Sequence, residues 1–121
     1  MSEIYSFEKL EVWRLAVDLI KRIYKISLNL PKSESNNLSN QMKRAAVSVA
    51  LNIAEGRASD SDAEFRRYLG ISLKSLIEVI ACIKVCQSLN FISGTEANEI
   101  CKYCDKVEAK IKSFRKTLRK A

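Results

Sequence analysis

Hydrophobic residues recur along this chain at steps of three and four residues, the spacing that places side chains on one face of an α-helix. Four such runs are separated by short polar segments, and they predict helices at about residues 8–29, 36–56, 61–89 and 94–118. Glycine and proline, which are common in the turns of sheet proteins, number only 3 and 1 among 121 residues. The pattern therefore predicts an all-α protein, an antiparallel up-down-up-down four-helix bundle in a single domain over residues 1–121.

The first run carries two apolar stripes. One contains Leu10, Trp13, Val17, Ile20 and Tyr24, and the other contains Val12, Ala16, Leu19, Ile23, Ile26 and Leu30. The stripes lie about 100° apart, so more than a third of the helix surface is apolar. A single packing partner would not cover both stripes, which predicts either a very central helix or a subunit interface.

The other three runs each have one main seam. In the second run it contains Leu38, Met42, Ala45 and Val49. In the third it contains Phe65, Leu69, Ser72, Leu76, Val79, Ile83 and Cys86, widened by Leu73, Ile77 and Ile80. In the fourth it contains Ile100, Cys104, Val107, Ile111, Phe114 and Leu118. These residues are the predicted core, because seams at this spacing face each other in a bundle.

Local signals predict where the helices begin and end. A serine followed three residues later by a glutamate forms a capping box, and this signal precedes the third and fourth runs at Ser61 with Glu64 and at Ser93 with Glu96. Ser35 or Asn36 is the expected N-cap of the second helix. Gly56 is expected to end that helix in the left-handed conformation that glycine adopts at low cost.

Polar residues interrupt the second run on one face. Arg44, Ser48, Asn52 and Glu55 follow steps of four, four and three residues, and Asn52 also continues the apolar seam. A polar residue in a seam lowers stability but can fix the register or the oligomeric state of packed helices. We interpret these residues as a structural polar strip. A ligand-binding or catalytic role is the alternative interpretation.

Positive charge is concentrated at the end of the chain. The formal net charge is +7, and the last twenty residues contain eight lysines and arginines against Asp105 and Glu108. Six of these basic residues form what we call the basic tail: Lys110, Lys112, Arg115, Lys116, Arg119 and Lys120. Such a run can be a solvated helix face near a C-terminus or a surface that contacts phosphate groups. Arg66 and Arg67, beside Tyr68, form a second and shorter basic cluster.

The residue types present argue against catalysis. Histidine is absent, and with it the commonest general base and metal ligand. The cysteines, Cys82, Cys86, Cys101 and Cys104, are expected to be small buried thiols, since Cys86 and Cys104 would diverge toward opposite ends of their helices. We therefore predict no catalytic residue, metal or cofactor. The N-terminus lacks the pattern of a signal peptide and no apolar run is long enough to span a bilayer, so a cytoplasmic protein is expected.

Five segments carry a resemblance to a known family: FEKLEVWRLA (7–16), LP (30–31), QMKRAAVSVALNIAEG (41–56), SDAEFRRYL (61–69) and SLIE (75–78). Through them the chain resembles the four-helix-bundle proteins encoded in intervening sequences of bacterial 23S rRNA genes. The resemblance implies a homopentameric barrel with a central channel and no established enzymatic activity. It also implies a relation to the accessory protein of diversity-generating retroelements, a basic pentamer that binds nucleic acid and a reverse transcriptase.

The sequence departs from the family pattern in two places. Ser59 and Asp60 stand where members often carry basic residues, and Lys74 stands where many have glycine. Arg44 and Glu78 match the pattern, and an ion pair between them is expected, so Glu78 joins the predicted polar strip.

Composition and resemblance together predict a non-enzymatic homopentamer that binds nucleic acid, RNA or the ribosome, through the basic tail. Such binding would be largely independent of sequence, because lysine and arginine on phosphate oxygens read no bases. The alternative prediction is a protein-interaction scaffold whose partner is a reverse transcriptase or a ribosomal protein. The two apolar stripes of the first helix favour that alternative.

Overall fold

The structure, a computed structural model, describes residues 5–120. Residues 1–4 and 121 lie outside the described residues, and with them part of the segment on which the signal-peptide expectation rests. The described chain forms four α-helices: α1 (Glu11–Ser27), α2 (Leu38–Arg57), α3 (Asp62–Ser88) and α4 (Gly94–Lys116). Short 3-10 helices precede α1 and α2, at Ser6–Lys9 and Lys32–Glu34. Among these residues there is no β-strand, and none of the helices is sufficiently long and apolar to cross a bilayer.

The helices pack as an antiparallel bundle. Each contacts its neighbour in sequence, and α1 also contacts α4. Between α3 and α4, Arg66 lies beside Arg115 and Asp62 beside Arg119, so residue numbers rise along one helix as they fall along the other. Short connections force this arrangement. The all-α prediction is confirmed for the described residues, and the structure has the four predicted helices.

The core follows the predicted seams closely. On α3 all seven predicted seam residues are buried, and on α1 the stripe that begins at Val12 turns inward. The other α1 stripe is only partly covered, and its Tyr24 side chain remains 48% exposed. Ile77 was wrongly predicted to widen the α3 stripe: it is 53% exposed, because α2 and α4 cover the opposite side of that helix. Full burial of a leucine or isoleucine stabilises the fold by roughly 1.5–3 kcal/mol.

All four helices are slightly shorter than predicted, and the first two begin later, at Glu11 and Leu38. Leu10 has an extended backbone (φ −78°, ψ 131°), so the segment from Ser6 to Lys9 forms a separate 3-10 turn before α1. Beyond Ser27 the hydrogen bonds tighten to the three-residue spacing, up to Leu30 before the proline. The predicted N-cap of α2 was also wrong, since Asn37 occupies that position without a side-chain cap. Its amide instead donates to the Glu34 carboxylate at 2.9 Å.

Serine caps begin the last two helices, as the sequence predicted. The Ser61 hydroxyl accepts a hydrogen bond from the Glu64 amide at 3.1 Å, and the Ser93 hydroxyl accepts from the Glu96 amide at 3.0 Å. Ser93 and Glu96 form the complete capping box. At Ser61 the reciprocal bond is replaced, because the Glu64 carboxylate pairs with Arg67 at 3.2 Å.

Gly56 has a different role from the one its sequence position suggested. It lies inside α2, which ends one residue later, and no described glycine has a positive φ. A Cβ atom at Gly56 would lie 2.7 Å from Phe65 Cδ1 and 2.8 Å from Tyr68 Cβ. The glycine is therefore a contact point that lets α2 and α3 approach closely, and the expectation of a left-handed C-cap was wrong.

Candidate nucleic-acid interface

The basic tail follows the last turns of α4 and packs beside the first turns of α1 and α3. Lys110 Nζ lies 3.6 Å from Glu11 Oε1, and Lys112 Nζ lies 3.9 Å from Glu108 Oε1. These lysine side chains keep 47% and 58% of their surface exposed. Exposed ion pairs of this kind are worth about 0–1 kcal/mol. Both lysines therefore remain available to a polyanion, although each of them lies near one glutamate.

The tip of the basic tail lies beside acidic residues. The Arg119 amide donates to Asp62 Oδ2 at 2.9 Å. Arg119 and Lys120 line one surface groove with Asp60 to Ala63. Asp60 and Asp62, which follow the segment NIAEG (52–56), thus lie against the basic tail. The positive charge available to phosphate therefore decreases toward the end of the tail.

Arg115 and Arg66 are bonded to each other's backbone across the α3–α4 contact. Arg66 Nη1 donates to the Arg115 carbonyl at 2.7 Å, and Arg115 Nε donates to the Arg66 carbonyl at 3.0 Å. Arg66 was not among the predicted site residues. The antiparallel register of α3 and α4 brings it to the basic tail, so the register was the signal that could have revealed it.

The two aromatic side chains near the tail pack inward. Phe114 meets Phe65 edge-on, with ring centroids 5.4 Å apart. The Tyr103 hydroxyl donates to the Leu15 carbonyl at 3.2 Å, and the Arg22 guanidinium lies 4.0 Å from the centre of the Tyr103 ring. Both aromatic residues pack against the core, as the predicted seam indicated for Phe114, and neither forms a platform for stacking bases.

Electrostatics reinforce the contact between α1 and α4. The hydrogen bond from Arg22 at 2.8 Å, followed by the nearby Tyr103 hydroxyl, holds the pKa of Asp18 below its usual range. Burial, followed by the neighbouring Asp18, raises the pKa of Tyr103 to about 12. Asp18 therefore carries its charge and Tyr103 its proton at neutral pH.

The predicted polar strip is partly a hydrogen-bonded seam. The Ser48 and Ser75 hydroxyls are 2.8 Å apart between α2 and α3, and Asn52 Nδ2 donates to the Ser48 carbonyl at 2.9 Å. A buried bond from Ser72 to the Val49 carbonyl, at 2.7 Å, adds a second link. The sequence predicted Ser72 as a seam residue and gave no role to Ser75. Neither hydrogen bond could be predicted, because a serine in a helix does not indicate which residue of another helix it will contact.

The charged members of the polar strip lie outside this network. Arg44 and Glu55 are exposed and line a groove along α2 together with Tyr24, Val47 and Leu51. Arg44 and Glu78 line a neighbouring groove. The expected ion pair between Arg44 and Glu78 does not form, for the four ion pairs of the described residues do not include them.

The four cysteines are free thiols in this structure. Cys82, Cys86 and Cys104 are buried, whereas Cys101 is half-buried. Within residues 5–120, no three side chains of the types that ligate metals come together. Burial raises the pKa of Cys104 to about 12 and also raises the pKa of Cys82 and Cys86. These three side chains pack as small apolar groups.

Comparison with known protein families gives a match over residues 8–113 to the model described as 23S rRNA-intervening sequence protein. That span includes all four helices except the last three residues of α4. The chain belongs to this family. The resemblance predicted from its motifs is thereby confirmed, while the relation to the retroelement accessory protein stays a prediction.

A protein of known crystal structure has the same fold as this chain. It is a protein of unknown function from the S23 ribosomal protein family of Bacteroides thetaiotaomicron, and its crystal structure superimposes with a TM-score of 0.77. The two chains are 23% identical, over 87% of this chain and 98% of the other. Comparison with curated proteins gave no match.

The family match covers the site residues unevenly. The polar strip, Arg66 and the lysines at 110 and 112 lie inside the matched span of this 23S rRNA-intervening sequence protein. Arg115, Lys116, Arg119 and Lys120 follow that span.

Proposed function

We propose that this protein is a non-enzymatic homo-oligomer that binds RNA through phosphate groups at one end of its bundle. The observation that carries the proposal is the basic tail, whose lysines remain exposed on the final turns of α4. The antiparallel register adds Arg66 and Arg67 from the first turns of α3 to the same end. Two basic clusters that are separate in sequence thus form one surface.

Phosphate is the chemical group this surface fits best. Near the basic tail, Tyr103 and Phe114 pack inward and offer no ring on which bases could stack, and the Arg67 guanidinium lies over the Tyr68 ring. Lysine and arginine without such platforms contact the phosphodiester backbone and give little sequence preference. The family description names 23S rRNA, which makes fragments of that RNA the first ligands to test.

Oligomer formation would multiply this surface. The resemblance implies a pentamer, and five copies in a ring would present five basic ends to one RNA chain. Binding at several ends at once raises the overall affinity without any new contact. The partly covered stripe of α1 and the groove along α2 supply apolar surface for such an assembly. We include a homopentameric barrel in the proposal.

The proposal is tested by titrating labelled 23S rRNA fragments and an unrelated RNA with the protein at about 50 to 200 mM salt. Binding is expected to weaken steeply as salt rises, because phosphate contacts release counterions. RNA binding should be lost in a variant with four residues of the basic tail changed to glutamine: Lys112, Arg115, Lys116 and Arg119. A control variant removes four exposed lysines elsewhere, toward the opposite end: Lys25, Lys32, Lys84 and Lys102.

The two variants have equal formal charge, so the comparison separates position from net charge. Equal losses in both would show that only net charge matters and would remove the basic tail from the proposal. A wild-type protein that binds neither RNA at the lowest salt would overturn the proposed function.

A protein-interaction scaffold is the second candidate function. The observation that favours it is the groove along α2, where Tyr24 and Leu51 are 48% and 51% exposed beside Val47. A reverse transcriptase or a ribosomal protein is the proposed partner. Purified partner proteins would be tested for binding to the wild type and to Leu51→Glu. Binding that the substitution leaves unchanged would remove this groove as the docking surface.

A further inference from the structure

The contact between Arg66 and Arg115 is a reciprocal one, which we call the arginine clasp. Each guanidinium donates to the backbone carbonyl of the other residue, at 2.7 and 3.0 Å. An arginine on a protein surface ordinarily samples many rotamers, and ordering it on binding lowers the affinity. In the arginine clasp both side chains are already ordered, each by a hydrogen bond to the opposite helix.

Backbone chemistry explains why a clasp forms here. Arg115 lies in the last turn of α4, where carbonyl groups lack the amide partners they would have inside a helix. The negative end of the helix dipole also attracts cations at this point. The Arg115 carbonyl accepts a backbone hydrogen bond from the Leu118 amide at 3.2 Å, and its second lone pair accepts from the Arg66 guanidinium.

Gly70 provides the space for the Arg115 side chain. It lies one turn after Arg66 on α3, and a Cβ atom there would be 3.2 Å from Arg115 Nη2. Glycine inside a helix is less stable than alanine by about 1 kcal/mol. The space over Gly70 is thus occupied by a guanidinium that lies along the surface of α3.

The clasp leaves most of its hydrogen-bond donors free. Arg66 and Arg115 each use one nitrogen in the clasp, and neither belongs to an ion pair among the described residues. In the same part of the chain, no buried side-chain nitrogen or oxygen lacks a hydrogen-bond partner. The guanidinium nitrogens that make no hydrogen bond must therefore be accessible to solvent. Arg66 and Arg115 are both half-buried, and among the described residues neither guanidinium lies within ion-pair distance of a carboxylate.

We propose that the arginine clasp is the principal phosphate-binding site of this protein and takes the phosphodiester groups of an RNA backbone. The inference rests on the proposed function and specifies where in the basic surface the affinity resides. An arginine fork can donate two parallel hydrogen bonds to one phosphate, which a lysine ammonium does not reproduce. Lys116, next to Arg115 in sequence, adds charge without this geometry.

The test removes the hydrogen-bonding geometry of the two guanidinium groups and keeps their positive charges. The double variant Arg66→Lys and Arg115→Lys retains both positive charges but loses the forks and the clasp. A matched control makes the same two exchanges at exposed arginines that lie at the same end of the bundle but outside the basic surface, Arg14→Lys and Arg57→Lys. The probe is a fluorescein-labelled single-stranded RNA of about 20 nucleotides, titrated at one fixed salt concentration and then across a salt series.

The clasp variant is expected to bind this RNA about tenfold more weakly than the wild type, the factor that corresponds to 1.4 kcal/mol. The control should stay within about twofold, since its two arginines lie outside the arginine clasp and its net charge is unchanged. The dependence on salt should be nearly the same in all three proteins, because the number of charges is unchanged. Circular dichroism at the assay temperature verifies that each variant is folded.

A second variant protects the test against a general loss of structure. Gly70→Ala keeps every charge and improves helix propensity, but its methyl group forces the end of the Arg115 side chain to shift by a few tenths of an ångström. Its RNA binding should also weaken while its melting temperature stays near that of the wild type. Wild-type affinity in both clasp variants would overturn the inference and leave the proposed function standing. Failure of the wild type itself to bind RNA would overturn both.

Discussion

Gly56 shows how a single missing methyl group decides the distance between two helices. The Phe65 and Tyr68 side chains of α3 occupy the space where a Cβ atom of this α2 residue would lie. Sequence position alone suggested a helix end, since glycine close to the end of an apolar run is a common C-cap. The close contact depends on a partner about ten residues later in the chain, which only the folded bundle brings to it.

Replacing Gly56 with alanine should destabilise the protein by about 1–3 kcal/mol, the usual effect of overpacking. The matched control is Gly70→Ala, where the new methyl group meets only the end of the Arg115 side chain, 3.2 Å from Nη2. Both changes gain the same helix propensity, so their difference isolates the packing effect. Urea denaturation measures both. A Gly56→Ala protein that is as stable as the wild type would contradict the close contact.

Cys104 should make the protein sensitive to alkaline pH. Burial raises the pKa of its thiol in the folded state to about 12, while a thiol in the unfolded chain has a pKa of about 8.5. Above pH 8.5 the unfolded chain loses this proton and the folded protein keeps it, so the free energy of unfolding falls between about pH 8.5 and 12. Below pH 8.5 this contribution is fully present.

The Cys104→Ala variant should show a smaller decrease in the free energy of unfolding over that pH range, measured by urea denaturation at several pH values. The control is Cys101→Ala, which removes a thiol that is only half-buried. A wild-type protein whose pH dependence is not altered by Cys104→Ala would show that other groups cause the alkaline loss. Tyr103, whose pKa is also raised to about 12, contributes in the same direction.

At the scale of the helices, periodicity predicted which residues face the core and capping signals predicted two of the starts. The seven seam residues of α3 are all buried, and Ser61 and Ser93 cap their helices. The start of α2 could not be predicted, because a glutamate in the preceding 3-10 helix binds the side chain that would have served as a cap. Bonds made between elements override local preferences at helix ends.

The serine pair between α2 and α3 should contribute a measurable coupling energy. Ser48 and Ser75 share one hydrogen bond of 2.8 Å in a half-buried position. A double-mutant cycle with Ser48→Ala and Ser75→Ala should give a coupling of about 0.5–1.5 kcal/mol, the usual net value of one hydrogen bond. Each variant is measured by urea denaturation. Additive effects of the two substitutions would mean that the bond does not stabilise the helix contact.

At the scale of the whole molecule, packing leaves apolar surface that the four helices do not cover. Tyr24 and Leu51 lie along one groove, and Leu28, at the end of α1, is 82% exposed. The two stripes of α1 already indicated such surplus surface from the sequence. The structure shows that the stripe ending at Tyr24 faces away from the core. Residues of α2 line the same groove as Tyr24 and so enlarge this apolar surface.

Leu51→Glu should therefore lower the mass of the assembly in solution, measured by sedimentation equilibrium. A charge in a subunit interface is strongly unfavourable, whereas on the surface of one subunit it changes stability by at most about 0.5 kcal/mol. Leu89→Glu is the matched control, because Leu89 is also 51% exposed but follows the end of α3. Equal masses for Leu51→Glu and the wild type would exclude the α2 groove from the interface.

The sequence by itself determined the helical class, the number of helices and most of the core, because those depend on the period of apolar residues along each segment. It also carried the motifs that place the chain in its family. Only the tertiary structure decided the role of Gly56, the serine bonds between α2 and α3, and the joining of Arg66 to Arg115. Each of these depends on the register between two antiparallel helices, which side-chain packing fixes and periodicity within one helix does not contain.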